Sequence, residues 1–444
     1  MKKLTGLLVV LLLSALPARA QDLSKTYSRP TGPNVGSAVD MEQVLTHPAV
    51  PSPKALDRLN LQLAWHVYVP IDGRRDGLFG VQILDDMILV QSCSGMITAL
   101  DPRDGSTLWR ASPGASYRVS LPAAFNSYLV FVARGSMLFA LDRKTGQQQW
   151  QFALPETLAA TPAADEDRIY LPAHNNRMYV YQIPRTAPEG SPSPNRPGFQ
   201  ARPGLTDIEY QFDYVSQSPL EQQPLLVEDL VVLAATDGTF FAISKYERKL
   251  VYQFKAESFL SASPGYYRNM AYVASQDFNL YALDVVPGRI VWTFTGAAPI
   301  LEKPRVQDQD IYLVPYRAGL YRLDRRNGEP LWRGPNEKVQ RFVAANPKFV
   351  YGVDRLGRLL ILDRASGADL ALLDTSDFVV PVSNDLTDRI FLAANDGLLV
   401  CLHDRAYPNA VVMKAPPPRP GNPPARPAQN QPAATAPASS GAGR

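Results

Sequence analysis

The sequence predicts an all-β protein, an eight-bladed β-propeller, on three observations. The first is a recurring stretch, Ile97-Thr-Ala-Leu-Asp-Pro-Arg-Asp-Gly-Ser-Thr-Leu-Trp109. Its skeleton is an alternating run ending in Leu-Asp, with Gly four residues and Trp eight residues after the Asp. The skeleton returns with Asp142, Gly146 and Trp150, with Asp284, Gly288 and Trp292, and with Asp324, Gly328 and Trp332. Asp363 and Gly367 give a copy ending in Ala371, and Gln182, Ser244 and His403 hold the Asp register in worn copies. The second is the spacing of these eight positions, at intervals of 41, 40, 62, 40, 40, 39 and 40 residues. A period near 40 marks a repeat architecture, and eight such units make one closed ring where 444 residues would otherwise suggest two or three domains. The third is that all five tryptophans, Trp65, Trp109, Trp150, Trp292 and Trp332, fall at one register position.

Each fixed residue has a physical reason. The alternation before the Asp reads as a half-buried strand. The Asp carboxylate turns the chain by accepting backbone N–H groups two or three residues on. Gly supplies a positive φ. The Trp sits on the returning strand, where its ring fills the space between neighbouring sheets.

This motif resembles the tryptophan docking motif of the pyrroloquinoline-quinone (PQQ) propeller superfamily, which holds quinoprotein dehydrogenases and the BamB-like propellers of outer-membrane assembly. The resemblance covers about residues 57 to 413 and is specific for the fold, whereas the same propeller hosts enzymes and scaffolds.

The units follow in order. Met1 to Ala20 reads as a signal peptide, with Lys2 and Lys3, an apolar run from Leu7 to Leu13, and a cleavage site at Ala18-Arg-Ala20. No Cys follows that site, so no lipoprotein signal is seen, a departure from the typically lipid-anchored BamB-like proteins. No other stretch qualifies as transmembrane. The expected location is exported, periplasmic or envelope-associated. Residues 21–56 form a Pro-containing leader with one short helical candidate near Val39 to Leu45. The propeller spans residues 57–413. The run Leu61-Gln-Leu-Ala-Trp65-His-Val-Tyr-Val carries the Trp strand without the three strands that precede it elsewhere. The eighth unit reaches His403 and lacks a Trp strand, so the N-terminal strand is expected to complete the last blade and close the ring.

Within a unit the strands read A to D from the channel outward, in the fifth as Leu260 to Gly265, Asn269 to Ser275, Asn279 to Asp284 and Arg289 to Phe294. Pro122, Pro162, Pro224, Pro264 and Pro304 each stand 20 residues before the Asp register. That places them on the innermost strand, an edge where a missing N–H is tolerated. The 62-residue interval reflects an insertion at 184–207 in the turn of the third blade, and Phe212 stands where its Trp would be. Residues 414–444 carry nine prolines, four basic residues and no acidic one, a composition that predicts a disordered tail.

Charge and motifs narrow the function. The chain holds 45 basic and 42 acidic residues, and cleavage after Ala20 removes Lys2, Lys3 and Arg19. A mature charge near zero gives no field for nucleic acid. Cys93 and Cys401 lie in the first and eighth repeats, neighbours in a ring, as free thiols or as a bridge whose geometry spacing does not establish. The four histidines, His47, His66, His174 and His403, share no metal-ligand spacing, so no metal site is expected. No nucleophile elbow, phosphate loop or dinucleotide fingerprint occurs. No catalytic or cofactor-binding residue is expected.

Recognition is left to one polar register, to neighbouring inter-blade loops such as Asp72-Gly-Arg-Arg-Asp76, and to the long loop at Pro184 to Leu205, with the register preferred because its groups sit on rigid strand ends. Eight residues before each Asp position, where strand B turns into strand C, stand Cys93, Arg134, His174, Thr236, Gln276, Tyr316, Arg355 and Asn395. Of these, Arg134, His174, Gln276, Tyr316, Arg355 and Asn395 form the candidate partner-binding face, with Arg134 and Arg355 as its expected anchors. Resemblance to the BamB-like proteins implies a monomeric, non-catalytic propeller scaffold that binds a cell-envelope protein. The alternative that the superfamily implies is a dehydrogenase using PQQ and Ca²⁺ to oxidise alcohols or sugars. The large quinoprotein alcohol dehydrogenases usually carry an adjacent cysteine pair under the cofactor, whereas the cysteines here are 308 residues apart.

Overall fold

A computed structural model describes residues 48–71, 76–114, 121–184 and 206–415. The expected signal peptide, the helical candidate near Val39, residues 72–75 of the first inter-blade loop, most of the 184–207 insertion and the tail from residue 416 lie outside the described residues.

Eight antiparallel sheets follow one another along the chain as the blades of a β-propeller, six with four strands and two with three among the described residues. Blade 5 shows the pattern, with strands A Gly265–Tyr267, B Met270–Ala274, C Asn279–Asp284 and D Arg289–Thr295. Strand A is shorter and later than the sequence suggests. Pro264 stands before it, as Pro122, Pro162, Pro224 and Pro304 stand before Ala124–Phe125, Ala163–Ala164, Leu225–Val227 and Arg305–Val306. A residue without an N–H cannot join the ladder, so each innermost strand begins after its proline instead of containing it.

Strands B and C are buried on both faces because each blade is covered by its two neighbours. Leu129–Arg134 is buried along its whole length, whereas the outer strand Thr107–Ala111 buries only Trp109 fully. The core therefore lies between blades: Leu89 and Ile97 of blade 1 pack with Val130, Val132 and Leu141 of blade 2.

The Asp-Gly-Trp register locks those interfaces. The Oδ1 of Asp142 accepts the N–H groups of Lys144 and Thr145 at 3.0 and 2.8 Å. Gly146 follows at φ 71°, and a Cβ there would lie 2.5 Å from the Trp109 ring of the preceding blade. Glycine is thus required twice, for the turn and for the close approach of the indole. The indole N–H groups of Trp65, Trp109 and Trp332 donate to the carbonyls of Pro102, Arg143 and Arg364, at 3.1, 2.8 and 2.8 Å. Each acceptor directly follows the turn Asp of the next blade. Tyr252 takes the Trp position in blade 4 and covers Gly288.

The N-terminal strand, Leu61–Tyr68, pairs antiparallel with Leu398–Asp404 and forms the outer edge of blade 8, with Trp65 opposite Cys401. Helix α1, Pro53–Arg58, leads into it and is capped by the Ser52 hydroxyl on the Ala55 N–H.

Two blades depart from the four-strand plan. Blade 6 has no regular D strand, because Pro330 leaves only the single bridges Leu323–Pro330 and Leu320–Asn336, yet Trp332 still docks. Blade 8 keeps one bridge, Val380–Ala393, of its innermost strand. Blade 3 survives its insertion: strand D, Tyr210–Val215, pairs Phe212 with Val180. Cys93 and Cys401 are both free thiols.

The chain stays attached beyond the last blade. Val411 and Asp388 exchange hydrogen bonds, the N–H groups of Met413 and Lys414 donate to the Leu386 carbonyl, and the Met413 carbonyl accepts the Asp308 N–H at 2.9 Å. Lys414 pairs with Asp385 at 3.2 Å. The boundary expected at 414 therefore moves to at least 416, since Lys414 and Ala415 belong to the packed structure.

Candidate protein-binding face

In an antiparallel four-strand blade, the turns between strands B and C share one end of the sheet with the loops that lead to the next blade. Seven of the eight register positions fall in those B–C turns, and Arg134 is the last residue of its strand B. Their backbone has a common task. The N–H groups of Cys93, His174, Thr236, Gln276 and Tyr316 donate to inter-blade carbonyls of Gly77, Thr157, Pro219, Phe259 and Pro299, at 2.8 to 3.1 Å. These bonds pin the inter-blade loops that enter blades 1, 3, 4, 5 and 6, so this part of the face is built on fixed backbone.

The side chains divide. His174, Tyr316, Arg355 and Asn395 are exposed, and Gln276 is half-buried with its amide on the Ser261 hydroxyl. Arg134 is buried, and its guanidinium lies against the Gly95 turn of blade 1, where any Cβ would collide with it. Burial lowers its pKa below the ordinary arginine value. Arg134 therefore braces blades 1 and 2 and does not anchor a partner. The sequence suggested otherwise because an arginine ending a strand normally reaches water.

The structure adds residues that the register did not include. Phe259, Phe278, Tyr316, Leu356 and Val379 are large apolar side chains at this end of blades 5 to 8, 42–65% exposed. In blades 1 to 3 the comparable exposed side chain at this end, among the described residues, is Val215 at the close of strand D in blade 3. Surface apolar residues are ordinary singly, and informative when they gather on one side of a ring. Arg317 lies over the Tyr316 ring at 5.1 Å. A groove of about 310 Å³ beside Leu356 is lined by Glu337, Lys338, Arg355 and Leu372.

Phe278 carries a second anomaly. Its turn repeats those of blades 4 and 8: Asp237, Asp277 and Asp396 each accept, through Oδ1, the N–H two residues on, at 3.0, 2.9 and 3.0 Å. The residue after that Asp has a positive φ, 93° at Gly238 and 97° at Gly397, and 73° at Phe278. A bulky side chain in this region is strained by on the order of 1–3 kcal/mol, which the surroundings must offset. The sequence does hold the signal, since Thr236-Asp-Gly and Asn395-Asp-Gly align with Gln276-Asp-Phe.

Metal-binding geometry is not found: among the described residues no group of three or more His, Cys, Asp or Glu stands together to hold an ion. No described helix is long and apolar enough to cross a membrane.

Eight blades, five of them docked by a Trp, closed by an N-terminal strand define a propeller of the PQQ-like, BamB-like class. The sequence profile of the family described as outer membrane protein assembly factor BamB matches residues 94–185 and 212–371, more than half of the chain, and the chain belongs to that family. The crystal structure of BamB from Moraxella catarrhalis is similar, with TM-score 0.58 and 16% identity over 79% of this chain and 99% of that one. The computationally designed Ika8 protein is similar too, with TM-score 0.57 and 14% identity over 77% and 99%. At such identities these structures show the shared fold. None of the curated proteins matches the chain.

Proposed function

We propose that this chain is a non-catalytic propeller scaffold of the cell envelope that binds a partner protein through the B–C face of blades 5 to 8. The family supplies the class, an outer membrane assembly factor. The observation that carries the face is Phe278, an exposed aromatic kept at a positive φ where blades 4 and 8 place glycine. Such a residue strains the fold, while an interface gains a rigid aromatic anchor that loses little entropy on binding. Tyr316, Leu356 and Val379 extend the anchor around the ring, and Arg355 and Asn395 give it a polar rim, the usual anatomy of a protein interface.

A dehydrogenase would need groups converging on a cofactor. All five indoles instead stand in the docking register, four of them buried and Trp292 partly buried, and the two cysteines are separate, so the residues present do not fit PQQ with Ca²⁺.

The test is a triple variant, Phe278→Ser with Tyr316→Ser and Leu356→Ser, expressed in the native envelope. It should fold like the parent and lose its co-purifying envelope partner. Retention of every partner by a folded variant contradicts the reading.

A further inference from the structure

The opposite face, where strands A and B and strands C and D turn, holds a cavity that the scaffold reading does not use. It has a volume of about 480 Å³ and lies under the C-terminal segment, between Val411–Met413, the blade 6 turn at Gln307, Pro347 of blade 7, and the guanidinium groups of Arg322 and Arg364.

Gln307 departs from a pattern that blades 2, 3, 7 and 8 share. In blades 2, 3 and 7 the A–B turn closes with the N–H of Asn126, Asp165 or Asn346 on the carbonyl three residues on, and Gln307 makes the same backbone bond to Asp310 at 2.9 Å. In those three blades the Oδ1 of the first residue also accepts the N–H groups two and three residues on, at 2.6–3.0 Å. Asn384 of blade 8 does likewise at 3.1 Å. An Asx side chain has the length for that ring, and glutamine is one methylene too long. Gln307 is fully buried, and neither its Oε1 nor its Nε2 has a hydrogen-bond partner. A buried amide left unpaired at both ends is costly, and with no exposed surface it meets an occupant of the neighbouring cavity by turning its side chain toward it.

The charges around it favour an anion. Asp310 is gripped by both arginines, by Arg322 Nε and Nη2 at 2.8 and 3.1 Å and by Arg364 Nε and Nη2 at 3.0 and 2.6 Å. Asp308 also lines the cavity, with its Oδ1 taken by the Ala415 N–H at 2.9 Å. Beside it, Arg325 Nε donates to the Asp308 carbonyl at 2.8 Å. Three guanidinium groups thus stand against two carboxylates. Arg322 Nη1 and Arg364 Nη1 donate to the carbonyls of Arg364 and Asn346 at 2.6 and 3.0 Å, which leaves the second N–H of each Nη for a carboxylate, while the Gln307 amide offers two N–H donors and an acceptor.

We propose that this cavity binds a small carboxylate carrying an adjacent hydrogen-bond donor, the chemistry shared by an N-acylated amino acid and a peptide C-terminus. The carboxylate accepts from Arg322, Arg364 and the Gln307 Nε2–H, and the neighbouring N–H donates to Gln307 Oε1. The site stands independently of the B–C face, so loss of the envelope partner and loss of this ligand separate cleanly.

The experiment is calorimetric titration of the full-length mature protein with N-acetylglycine, with acetyl-triglycine, and with N-acetylglycinamide, which lacks the carboxylate. Saturable binding of the two acids, at least tenfold tighter than the amide, is expected. Acetyl-triglycine binding at least tenfold tighter than N-acetylglycine identifies a peptide terminus as the source, and equal binding identifies a free small acid. Gln307→Asn should lose at least tenfold in affinity while its Tm stays level or rises, because Asn restores the turn bonds seen at Asn126 and Asn346. Gln307→Met, which keeps the volume and removes both polar ends, should lose binding equally. Absence of saturable binding by either acid, equal binding of the amide, or unchanged affinity in both variants overturns the proposal.

Discussion

At the scale of single residues, the five indoles fill one position with two hydrogen-bonding outcomes. Trp65, Trp109 and Trp332 reach a carbonyl, while the buried N–H groups of Trp150 and Trp292 do not. In blade 6 the matching carbonyl of Arg325 faces the Tyr272 hydroxyl at 3.5 Å, and in blade 3 the turn after Gln182 opens into the insertion. Truncation to alanine at Trp109 or Trp332 should cost roughly 3–5 kcal/mol, since each fills an inter-blade gap. Trp→Phe is the finer probe in urea titrations. It should cost about 1 kcal/mol more at Trp109 and Trp332, where it orphans a carbonyl, than at Trp150 and Trp292. Equal losses at all four would mean that the indole N–H groups contribute nothing. Phe278 inverts the usual expectation for an aromatic. Phe278→Gly should stabilise the fold by about 1 kcal/mol, the relief of strain less the entropy that glycine adds to the unfolded chain. A shift of the urea midpoint to lower concentration would show that Phe278 packs for stability.

At the scale of elements, closure depends on one strand from each end of the chain. Deleting residues up to Tyr68 uncovers Leu402, Val400 and Leu398 of the eighth blade and should abolish a cooperative transition. Cys401 reports the same event chemically. Burial pushes its thiol up to about 12, so it should resist alkylation at pH 8 until blade 8 opens. Rapid native labelling of Cys401 would indicate a ring that is already open. Truncation after residue 415 should leave stability intact, whereas truncation after residue 410 should lower Tm, because Val411, Met413 and Lys414 bridge blades 8 and 6.

Most of this architecture was legible in the sequence because Asp, Gly and Trp recur at fixed offsets. What was not legible lay where a single residue breaks a local rule. Pro330 removes the outer strand of blade 6 without moving Trp332, and the A strands begin after their prolines. Arg134 folds back into a neighbouring blade, a contact between residues 39 apart in sequence that no periodicity encodes. Phe278 and Gln307 were both visible in the sequence, and only the φ angle and the unpaired amide give them meaning.

At the scale of the whole molecule, the propeller has two unlike ends. The B–C end of blades 5 to 8 gathers exposed apolar side chains, and the other end carries the C-terminal segment and its polar cavity. On the proposed reading, the B–C end engages the partner and the other end is left available. The most direct measurement places a photo-crosslinking amino acid, in the native envelope, at Phe259, Tyr316, Leu356 and Val379 in turn, and at Tyr246 and Val286 in the C–D turns as exposed controls. The account predicts the same discrete protein adduct from the first four positions and none from the two controls. An adduct from the C–D positions with silence at the four would contradict it.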